Sequence, residues 1–207
     1  MGYVDNYYAL CHGTTLEAAR KIIENGFEIR TPKDPWLGEG VYFYDRKRKA
    51  WWYSDNTCRY ISKEEDRPVQ GTVLFVDILN IPYEDIFDLR IRDDMEDFQV
   101  FVEKLDEMRK KDFPDTDSYC ISSATNEDER RAEMRSYLIG YYVKESRKKL
   151  VIANIRQSED SIKAISEETI KFSDSLGIVL GVETVYCVKD LSIMSKPRQG
   201  GVKWNHY

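Results

Sequence analysis

Histidine is nearly absent from this chain. Its 207 residues hold two, His12 and His206, and four scattered cysteines, Cys11, Cys58, Cys120 and Cys187, without a C-x-x-C pair. Zinc centres need clustered Cys and His ligands at short spacings, so no zinc signature is present and the thiols are expected to be reduced and packed. No apolar run approaches the roughly 18 residues of a membrane-spanning helix. The opening stretch MGYVDNYYAL lacks the cationic start and apolar core of a secretory leader, and a cytoplasmic, membrane-free setting is the expectation. Positive charge is also in deficit: 31 Lys and Arg against 37 Asp and Glu leave a net charge of −6. The summed field repels phosphate, so any contact with nucleic acid must come from a local patch.

What is present fits a globular chain, with 42% hydrophobic and 33% charged residues. The length supports a core without metal or disulfide staples. We read one domain over 1–194 and a flexible tail over 195–207. Residues 5–11 predict a strand. TTLE then reads as a capping box, with Thr14 as N-cap and Glu17 three positions on, ahead of a helix that closes at Asn25-Gly26. GVYFYD predicts a short strand, RKRKAWWYSD a helix, and GTVLFVDIL a strand buried on both faces. Helical periods over 93–110 and within EDERRAEMRSYLIGYYV predict two helices with one buried stripe each, and KLVIANI and GIVLGVETVYCV predict two further strands. This mixed order points to an α+β fold.

Several chemistries can be set aside. GEGVYF lacks the third glycine of a dinucleotide fingerprint, and its glycines precede a strand where that fingerprint opens a helix. Serine-nucleophile elbows are missing. A Cys–His nucleophile would need His12 to serve Cys11, its own neighbour in the chain.

Three stretches carry a different pattern. CHGTTLEAARKIIENGF supplies His12, Gly13 and Thr14 ahead of a helix ending in Gly-Phe. LGEGVYFYDRKRKAWWYS has a Gly-x-Gly turn, a strand with Tyr42 and, eleven residues on, Tyr53 on a helix. ETVYCVKDLSI is a late strand headed by Glu183. In residue type, spacing and order these resemble the His, Tyr and Glu motifs of the ADP-ribosyltransferases of the poly(ADP-ribose) polymerase and diphtheria-toxin branch. The resemblance implies two packed, mainly antiparallel sheets that form an NAD cleft, flanked by helices.

It also implies roles. His12 bonds the adenosine ribose, Gly13 pairs through its main chain with the nicotinamide carboxamide, and Tyr42 and Tyr53 sandwich the pyridinium, an arrangement that also gains from cation–π attraction. Thr14 completes the first motif. Glu183 holds the ribose hydroxyl beside the reacting carbon and stabilises the oxocarbenium-like state through which the nicotinamide–ribose bond breaks. Ala50 stands where the family often has a serine that bonds the carboxamide. Glu39, Glu129 and Glu133 are rival carboxylates. Taken singly, each residue has a plainer reading: a histidine after an apolar strand is more often structural, strand tyrosines are usually core, and a strand glutamate is usually solvated.

The expected activity is NAD-dependent mono-ADP-ribosyl transfer to a macromolecule, with NAD as co-substrate and no metal. An NAD glycohydrolase or an idle NAD-binding or ADP-ribose-binding module are the alternatives. RKRKAWWY mixes cations with aromatics, which favours nucleic acid such as RNA or DNA over protein as the acceptor, against the plainer reading of a solvated helix face with Trp51 or Trp52 in the core. The small size resembles bacterial effectors of toxin–antitoxin or anti-phage systems, whose partner would be an antitoxin or immunity protein.

Overall fold

A computed structural model describes residues 3–30, 36–112, 127–156, 171 and 182–204; His206 and Cys120 lie outside them. In chain order the elements are β1 (Val4–Thr15), α1 (Leu16–Asn25), β2 (Val41–Tyr44), α2 (Lys47–Glu65), β3 (Gln70–Pro82), β4 (Ile86–Asp88), α3 (Arg92–Asp112), α4 (Glu127–Ser146), β5 (Leu150–Arg156), β6 (Val182–Val188) and β7 (Arg198–Trp204). The strands form one seven-stranded sheet in the order β4-β5-β6-β2-β1-β3-β7. The β4–β5 pair is parallel and the others are antiparallel. This is an α+β fold. The two sheets expected from the sequence are two halves, joined where Cys11 of β1 pairs with Tyr44 of β2.

Strand alternation divides the core into two layers. Leu10, Phe43, Leu74, Ile152 and Val188 face one side, with Ala19 of α1 among them. Their chain neighbours Cys11, Tyr44, Val73, Val151 and Cys187 face the other, with Ala50 of α2 and Ile139 of α4. Both faces of β3 are therefore buried, which is why its sequence reads as a continuous apolar run. On the second side Phe87 meets the rings of Phe98 and Tyr142 at 5.3 and 4.6 Å. Burial of a side chain such as Phe87 is worth about 1.5–3 kcal/mol.

The helix signals need one correction. Thr15, not Thr14, caps α1, its hydroxyl accepting from the Ala18 N–H at 3.1 Å. β1 stays paired with β3 as far as Thr15 opposite Gly71, so Thr14 is still strand. Glu17 then falls one position short of a capping box and pairs with Lys21 at 3.0 Å.

The segment after Met194, read as a flexible tail, contains a strand. β7 pairs with β3, and Arg198 makes a two-pronged ion pair with Asp77 of β3, with N···O distances of 2.7 and 3.0 Å. Asp77 also accepts from the Ala9 N–H at 2.7 Å, at a bulge of β1 where Ala9 has φ 51°. The Arg198 side chain and this N–H hold the Asp77 carboxyl below its usual range. A carboxylate on β3 thus anchors the bulge on one side and the last strand on the other. Among the described residues no helix is long and apolar enough to cross a membrane.

Candidate active site

The site forms where β1 and β2 diverge. One residue beyond the Cys11–Tyr44 pair, the link between these strands passes to a side chain: His12 Nδ1 lies 2.9 Å from the Tyr42 carbonyl oxygen. A carbonyl only accepts, so Nδ1 carries the proton and Nε2 is left as an acceptor. The ring packs edge-on against Phe27 at 5.2 Å and tilted against Phe43 at 5.7 Å. Burial depresses the His12 pKa, which outweighs the opposing effect of the bond to Tyr42, and the imidazole is neutral near pH 7. Cys11 is not its nucleophilic partner. The Cys11 thiol donates to the Ala9 carbonyl at 3.2 Å, and burial pushes it up to about 11.

Tyr42 is fixed by its hydroxyl. It accepts from the Leu37 N–H at 2.9 Å and donates to the Gly38 carbonyl at 2.6 Å, and burial raises the phenol far above its usual value. The Gly-x-Gly turn that it grips is held from beneath by Lys189, at the end of β6. The Lys189 ammonium donates to the Leu37 carbonyl at 2.5 Å and to that of Glu39. Burial depresses the lysine pKa. Glycine is needed twice here. Gly38 has φ 78°, and a Cβ on Gly40 would lie 2.5 Å from Cys187 Sγ and 2.7 Å from the Val188 carbonyl oxygen.

Helix α2 is seated through small residues. Ala50, Ser54, Cys58 and Ser62 are buried at a spacing of four. Opposite them a Cβ on Gly13 would come within 1.7 Å of the Ala50 carbonyl oxygen, and one on Gly71 within 2.4 Å of Ser54 Oγ. Ser54 Oγ donates to the Thr14 carbonyl at 2.8 Å. Gly13 is thus required by the helix it touches, a reason the sequence does not show. Ala50 is fully buried in this contact.

The same seating brings the first turn of α2 to β6. Glu183, paired in the sheet with Ile155, has a side chain only 15% exposed, and its Oε2 is 2.8 Å from Lys49 Nζ. Lys49 also lies 4.2 Å from the Trp52 ring centroid. Tyr53, 44% exposed, has its ring 5.8 Å from that of Tyr44. Burial raises the Tyr44 phenol, and the nearby Tyr53 and Glu183 add to the effect. The late-strand glutamate and the second motif tyrosine therefore share one neighbourhood.

Lys49 and Lys189 are contributors that residue patterns missed. Lys49 is hidden in a run of cations, and Lys189 shows only as a lysine directly after a buried strand. Of the rival carboxylates, Glu39 is on the exposed side of the Gly-x-Gly turn. Glu133 is half-buried on α4, two residues before Arg135, whose guanidinium donates to the Trp36 carbonyl at 3.0 Å. The Glu129 side chain lies outside the described residues.

The poly(ADP-ribose) polymerase catalytic domain family matches residues 4–148, more than half of the chain. None of the curated proteins matches it. The matched span holds His12, Gly13, Tyr42 and Tyr53 and stops short of Glu183. With the two tyrosine-bearing elements, the His-Gly strand and the α+β sheet in place, the chain belongs to the poly(ADP-ribose) polymerase catalytic domain family, the NAD-dependent ADP-ribosyltransferases.

Proposed function

We propose that this protein is a mono-ADP-ribosyltransferase that breaks the nicotinamide–ribose bond of NAD and passes ADP-ribose to a macromolecule, with Glu183 as its catalytic carboxylate. The observation that carries this reading is the 2.8 Å ion pair between Glu183 and Lys49, which ties the head of β6 to the helix bearing Tyr53. A carboxylate offers roughly four acceptor directions. Glu183 can therefore hold Lys49 and a ribose hydroxyl together, with Lys49 fixing the direction of the carboxylate. The bond to nicotinamide breaks through a cationic sugar, which a fixed negative charge stabilises more than it stabilises the ground state.

The remaining residues bind. His12 offers Nε2 to a hydroxyl of the adenosine ribose, in the tautomer set by its bond to Tyr42. The rings of Tyr42 and Tyr53 enclose the nicotinamide, and Gly13 meets its carboxamide through the main chain. Tyr42 is suited to a fixed wall because its hydroxyl is committed to the Leu37–Gly38 turn at both its donor and an acceptor position. A toxin-like role inside a cell, with an antitoxin or immunity protein as partner, rests on the resemblance to small bacterial effectors alone. The test is nicotinamide release from NAD by the purified chain, compared with Glu183→Gln and His12→Gln. Release by the parent that both variants lose supports the assignment, and equal release by all three removes it.

A further inference from the structure

Helix α2 carries its charge at the wrong end. Four successive cations, Arg46, Lys47, Arg48 and Lys49, occupy its N-terminus in a chain of net charge −6. The helix dipole and the unbonded N–H groups favour anions there. Arg46, the N-cap, makes no side-chain capping bond, and the first turn holds no acidic residue. Arg46, Lys47 and Arg48 are exposed, and none of the three forms an ion pair among the described residues. Lys47 sits 5.7 Å from the ring of Phe75. The fold gains little from this placement.

Exposed aromatics continue the same surface. Trp51 packs against the core, which leaves Trp52, 51% exposed, without that role. At a spacing of four, Arg48, Trp52, Asn56 and Tyr60 follow one ridge of the helix, and Tyr60 is 59% exposed. The ridge begins at the site. The Lys49 ammonium touches both the Trp52 ring and the Glu183 carboxylate, so the Trp52 ring is one side chain away from the proposed catalytic carboxylate.

We infer that the acceptor is a single-stranded nucleic acid, drawn to Arg46, Lys47 and Arg48 through its phosphates and stacked through a base on Trp52. This inference rests on the transferase reading above. Cations alone would suit an acidic protein equally well. Half-exposed aromatic rings interleaved with them are what the faces of unpaired bases need, and a duplex keeps those faces covered. In the transfer a nitrogen or oxygen of the strand bonds to the ribose carbon that held nicotinamide. The carbon–nitrogen bond to nicotinamide breaks, and its electron pair leaves with neutral nicotinamide. The proton of the acceptor atom goes to Glu183 or to water.

The experiment gives the full chain NAD labelled in its adenosine half, together with a single-stranded RNA, the matching single-stranded DNA, their duplexes or a mixture of acidic proteins. Nicotinamide release is followed in parallel without any acceptor. Label is expected on a single strand and not on the duplexes. Arg46→Ala with Arg48→Ala is expected to lower strand labelling tenfold or more while acceptor-free nicotinamide release stays at the parent rate. Strand affinity, read by fluorescence anisotropy without NAD, should fall in the double variant, with a salt slope shallower by about 1.4, or about 0.7 per lost phosphate contact. Trp52→Ala should lose labelling that Trp52→Phe partly retains. Label confined to protein, or strand binding unchanged in the double variant, overturns the inference. If nicotinamide is never released, the transferase reading fails, and strand binding without NAD still decides whether this surface holds nucleic acid.

Discussion

His12 donates from Nδ1 to the main-chain oxygen of Tyr42 at 2.9 Å, so a side chain replaces the sheet ladder where β1 and β2 part. The first histidine motif and the first tyrosine motif are thus one unit, and His12 has a structural role beside the binding role proposed for it. The two can be separated. His12→Ala should lower stability by about 1–3 kcal/mol through the lost bond and the space left between Phe27 and Phe43. His12→Gln can restore a donor to the carbonyl, and it should stay folded yet lose the rise in melting temperature that NAD gives, since a ligand stabilises only through its affinity for the native state. Thermal melts with NAD and with ADP-ribose check this. A glutamine variant that responds to both ligands as the parent does would contradict the ribose contact.

Burial depresses the His12 pKa, and the sign of the resulting pH effect follows. The unfolded chain takes up a proton on this ring near pH 6.5 while the folded chain resists it. The unfolded state then binds more protons, so stability is full above about pH 6.5 and falls as the pH drops below it. Denaturant midpoints measured between pH 5 and 7 should slope upward with pH in the parent, and His12→Gln should flatten that slope.

Gly13→Ala should be severe, because its Cβ would lie 1.7 Å from the Ala50 carbonyl oxygen and α2 would have to lift. A loss of about 3 kcal/mol or more is expected in denaturant titrations, at the upper end of overpacking costs. Ala50→Ser, the change that would bring this position back to the serine common in the family, places a hydroxyl at a fully buried point. It should lower stability by about 1 kcal/mol and leave NAD affinity unchanged. A rise in affinity on calorimetric titration would show that the nicotinamide pocket reaches Ala50.

Lys189→Met keeps the apolar stem and removes the ammonium that bridges the carbonyls of Leu37 and Glu39. The Leu37 carbonyl loses its lysine donor, the Glu39 carbonyl keeps the Cys187 thiol at 3.7 Å, and the turn gripping the Tyr42 hydroxyl slackens. Stability should fall by about 1–3 kcal/mol and NAD affinity should fall with it. Unchanged affinity on calorimetric titration would mean that the turn does not position Tyr42.

Local signals in the sequence were enough for much of this. Periodicity gives β3 as a doubly buried strand and α2 as a helix starting beside Arg46, and it is the resemblance to the family motifs that picks out Tyr42 and Tyr53 together. What it misses depends on partners distant in the chain. Thr15 is the cap because β1 remains paired with Gly71, and β7 forms on the free edge of β3, where Asp77 also holds Arg198. The reason for Gly13 lies on α2, and the functions of Lys49 and Lys189 appear only when the sheet brings β6 beside the motif elements. Between Glu183 and its rivals only the ion pair to Lys49 offers a physical choice.

Single-turnover nicotinamide release from NAD decides whether Glu183 is the catalytic carboxylate. Glu183→Gln keeps the shape of the side chain and removes its charge, and loss of one such transition-state stabiliser is worth about 10²–10³ in rate. Glu183→Gln is expected to bind NAD nearly as the parent does and to release nicotinamide slower by about that factor, whereas Glu133→Gln should release it at close to the parent rate. Parent-like release by Glu183→Gln, with the loss appearing in Glu133→Gln, would contradict that role.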